Sequence, residues 1–210
     1  FFTNLDDLIQ RAENHNLMII FCLFDFHIVD AGRQDIVKDT SKTHAYINNA
    51  LLPMVQRYET SCNVVAWEII NEPEWIMQGI SGGGNYGSGG ITINQMQRFV
   101  GMCASAIHAN SSKMVTVGSA SLKWNSAVLP AVGNYWSDAA LKAAAYNDNN
   151  AYLDFYQIHY YSWMHSPWIF DPMNLSFPYS YWLLDKPTII GEIGAIDPDY
   201  SNSTILANAY

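Results

Sequence analysis

Residues 17–24, Leu-Met-Ile-Ile-Phe-Cys-Leu-Phe, form a near-continuous apolar run, and few folds can accept one. A strand with one face in water alternates apolar and polar residues, whereas an unbroken run of this length belongs to a strand buried on both faces, as in a parallel sheet covered by helices. The run is too short to cross a bilayer. Helical spacing precedes it, since Leu5, Leu8, Ile9 and Ala12 fall at i, i+3, i+4 and i+7. The alternation then continues. A helix is expected over Ala45–Tyr58, kinked or started late by Pro53, and a strand over Asn63–Ile70. Further on come a helix from Asn94 to Ala109, a strand from Met114 to Val117, and a helix capped by Ser137 or Asp138 and running through Ala145. Strands over Leu153–Tyr160 and Thr188–Ile190 and a helix from Ser201 to Tyr210 complete the pattern. Five strands separated by helices imply an α/β fold.

Composition removes several classes of function. The formal net charge is −9, with Lys and Arg scattered, which disfavours nucleic acid, because its binders need a basic face. A neutral substrate suits such a protein. The Gly-rich stretch from Gly79 to Gly90 lacks the Lys-Ser/Thr of a phosphate loop and reads as a flexible loop. Cys22, Cys62 and Cys103 make no CxxC pair, so no zinc site is expected. Cys22, inside the apolar run, reads as a buried hydrophobe, and a Cys62–Cys103 disulfide is possible. Glycosylation sequons at Asn110, Asn174 and Asn202 hint at secretion no more strongly than chance would. The chain does not begin with Met, so Phe1 is expected to follow removed or missing sequence. Its 210 residues suffice for one domain, 1–210.

No GxGxxG follows the first strand, which weakens a dinucleotide-binding reading. Polar residues gather instead just after strand ends: Asp25 and His27, Asn71 and Glu72, His159 and Tyr161, and Glu192. In a (β/α)8 barrel such positions converge on one mouth. The chain therefore reads as a partial TIM barrel, with five strands visible. The sharpest motif is Trp67-Glu68-Ile69-Ile70-Asn71-Glu72-Pro73, where Pro73 ends the strand by withholding a ladder donor. The second is Lys186-Pro187-Thr188-Ile189-Ile190-Gly191-Glu192, whose Gly191 lets another group come close. Two carboxyls at one mouth are what glycoside hydrolysis requires. One gives a proton to the leaving oxygen while the other attacks the anomeric carbon or stabilises its charge.

On these motifs the chain resembles glycoside hydrolase family five, a clan of barrel enzymes with catalytic Glu residues after the fourth and seventh strands. Asn71-Glu72-Pro73 is similar to the family's acid/base motif, His159-x-Tyr161 to its His-x-Tyr after the sixth strand, and Gly191-Glu192 to its nucleophile strand. Phe24-Asp25-Phe26-His27 resembles the third-strand motif whose His faces substrate. Leu51-Leu52-Pro53-Met54-Val55, Asn71-Glu72-Pro73-Glu74, Val115-Thr116-Val117-Gly118-Ser119 and Phe155 to Trp163 look like the endo-β-mannanases of invertebrate animals.

The resemblance implies roles. Glu72 would be the acid/base and Glu192 the nucleophile of a retaining enzyme acting on β-1,4-mannan. Asn71 would donate to the sugar 2-hydroxyl, and Tyr161 would hold the Glu192 carboxylate ionised. His159 and His27 would bind sugar hydroxyls or orient a Glu. Trp163 is a candidate stacking platform, as are Trp75 and Trp124, although aromatics also fill cores. No cofactor or metal is implied. The partner is a polysaccharide or oligosaccharide, neither nucleic acid nor membrane, and the protein is expected to be a secreted monomer. The family's Arg after its second strand would precede Phe1, and the platform after its eighth would lie beyond Tyr210. The chain is thus expected to hold about strands three to seven, truncated at both ends. A cellulase on the same scaffold and a non-catalytic sugar-binding fragment remain the alternatives.

Overall fold

The computed structural model describes residues 1–80, 83–84, 86, 90–128, 133–161 and 177–194. Trp163, the helix expected over Ser201–Tyr210 and the sequons at Asn174 and Asn202 lie outside them. The core of the fold is a parallel sheet of β1 (Ile19–Cys22), β2 (Val64–Asn71), β5 (Met114–Ser119), β6 (Tyr156–Tyr160) and β7 (Thr188–Ile193), in that spatial order. Strands adjacent in space also follow one another in sequence, apart from a two-stranded ribbon of β3 (Met77–Gln78) and β4 (Ile91–Thr92). This is the order of a single winding, and β1 and β7 are its edges. The sheet therefore supplies five strands of a (β/α)8 barrel as an open arc, as expected. The edge strand β7 leaves Ile189 41% and Ile193 39% exposed, where a closed barrel would give them neighbours.

The helices explain themselves locally. Helix α1 (Phe2–Asn14) buries Ile9 and Ala12 from the apolar stripe. Helix α5 (Ile93–His108) begins with a capping box, in which Thr92 accepts from the Gln95 N–H and the Gln95 side chain accepts from the Thr92 N–H. For α6 (Asp138–Ala144) the cap is Ser137, which accepts from the Ala140 N–H. The helix expected from Ala45 starts earlier. After α2 (Asp35–Lys38), Asp39 caps α3 (Thr40–Tyr46), and a π-helical turn over Ile47–Leu51 leads into α4 (Leu52–Tyr58). Pro53 cannot donate to the preceding turn and its ring crowds the carbonyl four residues back, and the wider turn relieves both.

One apolar cluster holds these pieces together. It joins Val64, Trp67 and Ile69 of β2 with Val115 and Val117 of β5, and with Leu51, Val55, Phe99, Cys103 and Ile107 from the helical layer. Each is nearly or fully buried, and such a side chain contributes roughly 1.5–3 kcal/mol. The structure settles the open pairing of two cysteines and corrects the expectation for the third. All three cysteines are free, with Cys62 exposed and Cys103 enclosed in α5, so no Cys62–Cys103 bridge forms. Cys22 is exposed, because it ends the edge strand β1 on an open arc. The polar residues at the C-terminal ends of β1, β2, β6 and β7 all face one end of the sheet, and the site lies there.

Candidate active site

Strand β2 carries the first carboxylate beyond its last residue. Glu72 has φ 45, the left-handed region that a side chain rarely occupies. Its backbone N–H donates to Gly118 O at the end of β5, and Pro73 opens a 3-10 turn, Pro73–Trp75. The conformation turns the side chain toward β6. There His159 Nδ1 lies 2.8 Å from Glu72 Oε1, and the indole Nε1 of Trp75 donates to Oε2 at 2.8 Å. Both oxygens of Glu72 are thus held.

Strand β7 brings the second carboxylate. Gly191, just before it, leaves no room for a β-carbon, which would come within 2.5 Å of the Gln157 side chain. Glu192 pairs with His159 in the β6–β7 register, and the Tyr161 hydroxyl donates to Glu192 Oε2 at 2.5 Å. His159 Nδ1 lies 3.5 Å from the same oxygen. Converging atoms of Glu72, His159 and Glu192 all lie within 4.8 Å of one another. Carboxyls about 5–5.5 Å apart suit a double displacement, whereas an inverting pair stands roughly 6.5–9.5 Å apart.

His159 sits between the two carboxyl groups with no exposed surface. Burial works against its protonation. The hydrogen bond to Glu72 and the charges of Glu192, Glu72 and Glu68 outweigh that, and its pKa lies above the ordinary histidine value. Nε2 has no partner among the described residues, so the neutral ring keeps its proton on Nδ1, toward the carboxylates. The hydrogen bond to Glu192, then burial, raises the Tyr161 hydroxyl, which stays a donor. A metal ion could in principle meet the same three side chains. Both Glu72 oxygens and Glu192 Oε2, however, already face His159, Trp75 and Tyr161 donors, and an ion binding there would have to displace them.

Asn71 stands beside Glu72, and its Nδ2 donates to Asp25 Oδ2 at 2.8 Å. The carboxylate accepts only, which fixes the amide orientation and leaves the second N–H of Nδ2 for another acceptor. His27 is apart from both Glu residues. It lies in the 3-10 turn Phe26–Val29, which packs on the Pro73–Trp75 turn, and its Nδ1 contacts Asp30 Oδ2 and the Tyr86 hydroxyl, each at 2.7 Å. It borders the site without touching either catalytic candidate. Trp124 is fully buried, edge-on to Trp75 at 5.9 Å, so it cannot serve as a sugar platform. Trp75 spends its N–H on Glu72.

Several site residues escaped the sequence reading. Glu68 and Gln157 form a buried polar floor one layer below, with Gln157 Nε2 donating to Glu68 Oε2 at 2.6 Å. Burial raises the Glu68 carboxyl, against hydrogen bonds from Gln157 and Cys22. A charged residue inside an otherwise apolar strand was a signal for it. Tyr86 had none. It belongs to the Gly-rich stretch, whose described residues are docked rather than loose: Gly84 N–H donates to Glu74 O at 2.9 Å and Tyr86 N–H to Trp75 O at 3.0 Å.

Residues 1–207 match the family described as "Cellulase (glycosyl hydrolase family 5)". The chain is 32% identical over 215 residues to a mannan endo-1,4-beta-mannosidase of Cryptopygus antarcticus, covering 92% of this chain and 54% of that protein. It is 31% identical to a mannan endo-1,4-beta-mannosidase of Mytilus edulis, covering 88% and 54%. The chain spans about half the length of these relatives. Among solved structures, the beta-1,4-D-mannanase of Cryptopygus antarcticus superposes with a TM-score of 0.84 at 30% identity, over 99% of this chain and 61% of that one. The beta-mannanase of Mytilus edulis gives 0.83 at 27%, over 99% and 63%. With its Glu residues at the ends of β2 and β7 and this match along nearly its whole length, the chain belongs to the cellulase family, glycosyl hydrolase family 5.

Proposed function

We propose that this chain carries the catalytic centre of a retaining endo-β-mannanase, with Glu72 as acid/base and Glu192 as nucleophile. The observation that carries the reading is the pair of strand-end carboxylates gathered around His159, their converging oxygens within 4.8 Å. In the first step Glu192 attacks the anomeric carbon as the bond to the leaving oxygen breaks, and Glu72 gives that oxygen its proton. Glu72 then takes a proton from water, whose oxygen displaces Glu192 and restores both carboxyls. Tyr161 steadies the attacking carboxylate, His159 sets the facing oxygens of both Glu residues, and Asn71 offers its remaining N–H to the 2-hydroxyl. Asp25 orients that amide, and His27 borders the path of the polymer. The mannan named for the two sequence relatives is uncharged and fits a protein of net charge −9. No helix among the described residues is long and apolar enough to cross a membrane. A mannan polymer does not cross a membrane intact, so the protein is read as acting outside the cell, and as a monomer.

The test is to incubate the full-length protein with linear β-1,4-mannan and with cellulose, and to follow new reducing ends and the anomeric proton signals of the first product. Reducing ends from mannan alone, with the β-anomer appearing first, are expected. Release from cellulose instead would make it a glucanase. Binding without release would make it a sugar-binding fragment, and an α-anomer first would make it inverting.

A further inference from the structure

A second carboxylate lies two residues after Glu72, and the chemistry above does not use it. Glu74 has no exposed surface. Its Oε1 accepts from the Ser119 hydroxyl at 2.7 Å and from the Trp136 indole Nε1 at 2.7 Å, and its Oε2 accepts from the Ala120 N–H at 3.1 Å. Burial pushes its carboxyl upward against these three donors. A buried carboxyl is costly unless its oxygens are matched, and here the partners are specific. Ser119 ends β5 and Ala120 follows it, so Glu74 fastens the Pro73–Trp75 turn to the end of the neighbouring strand.

What that turn presents is Trp75, whose indole N–H reaches Glu72 Oε2. Two described residues of the Gly-rich stretch also hold the turn, through Gly84 N–H on Glu74 O and Tyr86 N–H on Trp75 O. A β-carbon at Gly83 would come within 2.5 Å of Glu74 O, so the contact there is close. Glu72 itself hangs on the same strand through its bond to Gly118 O and holds a left-handed backbone. Such a conformation persists only where the surroundings over-determine it. The anchors that do so are Gly118 before the turn and Glu74 within it.

We propose that Glu74 and Trp75 are positioning residues for the acid/base: Glu74 anchors the turn to β5, and Trp75 fixes the plane of the Glu72 carboxyl through its indole N–H. The proposal rests on the reading of Glu72 as acid/base. It predicts a defect confined to proton delivery. Glu74→Gln and Trp75→Phe in the full-length protein should lower kcat on β-1,4-mannan by about 10- to 100-fold, with KM within about twofold, because misplacing a general acid forfeits part of its contribution. On 2,4-dinitrophenyl β-mannobioside, whose leaving group departs without a proton, kcat/KM should fall less than about threefold. A role in folding alone lowers both substrates by one factor, since it removes active molecules. Trp75→Phe keeps the ring and decides the matter if Glu74→Gln does not fold. Equal losses on the two substrates, or none, overturn the proposal. Glu72→Ala on the same pair separates the two readings. If it too loses activity equally on both, the acid/base assignment fails. If it alone discriminates between leaving groups, that assignment stands and the positioning proposal falls.

Discussion

At the scale of single residues, the site depends on glycine as much as on carboxylate. A β-carbon at Gly118 would collide with Glu68 Oε1 and come within 3.1 Å of Asn71 Oδ1. One methyl there disturbs the buried floor and the amide beside the acid/base together. Gly118→Ala is expected to destabilise the protein by about 1–3 kcal/mol, the usual cost of overpacking, and to lower kcat on mannan. Urea unfolding and initial rates check it, and a variant unchanged in both contradicts the account. The catalytic candidates were legible because each motif sets an ionisable residue at the end of an apolar strand, where only a barrel mouth gives it a use. The partners that hold them were less legible. Trp75 reads as a stacking surface in sequence, and only the turn after Glu72 aims its N–H at the carboxyl. Cys62 and Cys103 could not be excluded as a pair from spacing alone, because a disulfide depends on geometry that sequence does not carry.

At the scale of elements, strands and capped helices were readable, and the short or irregular pieces were not. The ribbon of β3 and β4 has two residues per strand, too few for any period to register. The π turn before Pro53 answers a local conflict that the sequence announced only as a kink. The end of α5 offers a pH test. His108 lies 3.0 Å from Asp154 Oδ2 and stacks on Tyr152 with ring centroids 4.1 Å apart. Burial opposes its protonation, but the hydrogen bonds to Asp154 and to Asn150 O prevail and raise its pKa. A raised folded-state value means the contribution is fully present below the ordinary histidine value and is lost as pH rises through the raised one. Asp154 is depressed: burial opposes this, and hydrogen bonds from His108 and the Val115 N–H overcome it. Its share is present above the ordinary aspartate value and lost as pH falls through the depressed one. His108→Gln should therefore cost about 1–2 kcal/mol in mildly acidic buffer and progressively less above neutrality. Denaturant midpoints across pH measure the difference, and a gap that widens toward alkaline pH would contradict the assignment.

At the scale of the whole molecule, the five strands of the main sheet and their parallel direction followed from the sequence, because each apolar run needs cover on both faces and the helices of an α/β fold supply it. The openness of the arc followed from the count, five strands where a barrel needs eight. Among the described residues β1 and β7 are the sheet's edges, and Ile189 and Ile193 are exposed; this has a consequence, since such edges invite pairing. Residues 1–210 prepared alone should self-associate in sedimentation and bind an apolar dye, and adding the remaining barrel strands should abolish both. A monodisperse, dye-free fragment would show that the arc closes its edges by itself. The central claim, that Glu192 attacks while Glu72 moves the proton, is tested most directly by azide rescue in the full-length protein. With an activated aryl β-mannobioside, Glu192→Ala plus azide should yield the α-glycosyl azide, because the anion enters the space left by the carboxylate and inverts the carbon. Glu72→Ala should still form the glycosyl-enzyme, and azide should then give the β-glycosyl azide with configuration retained. Exchanged stereochemistry between the two variants would reverse the roles, and normal turnover in both would remove the catalytic assignment.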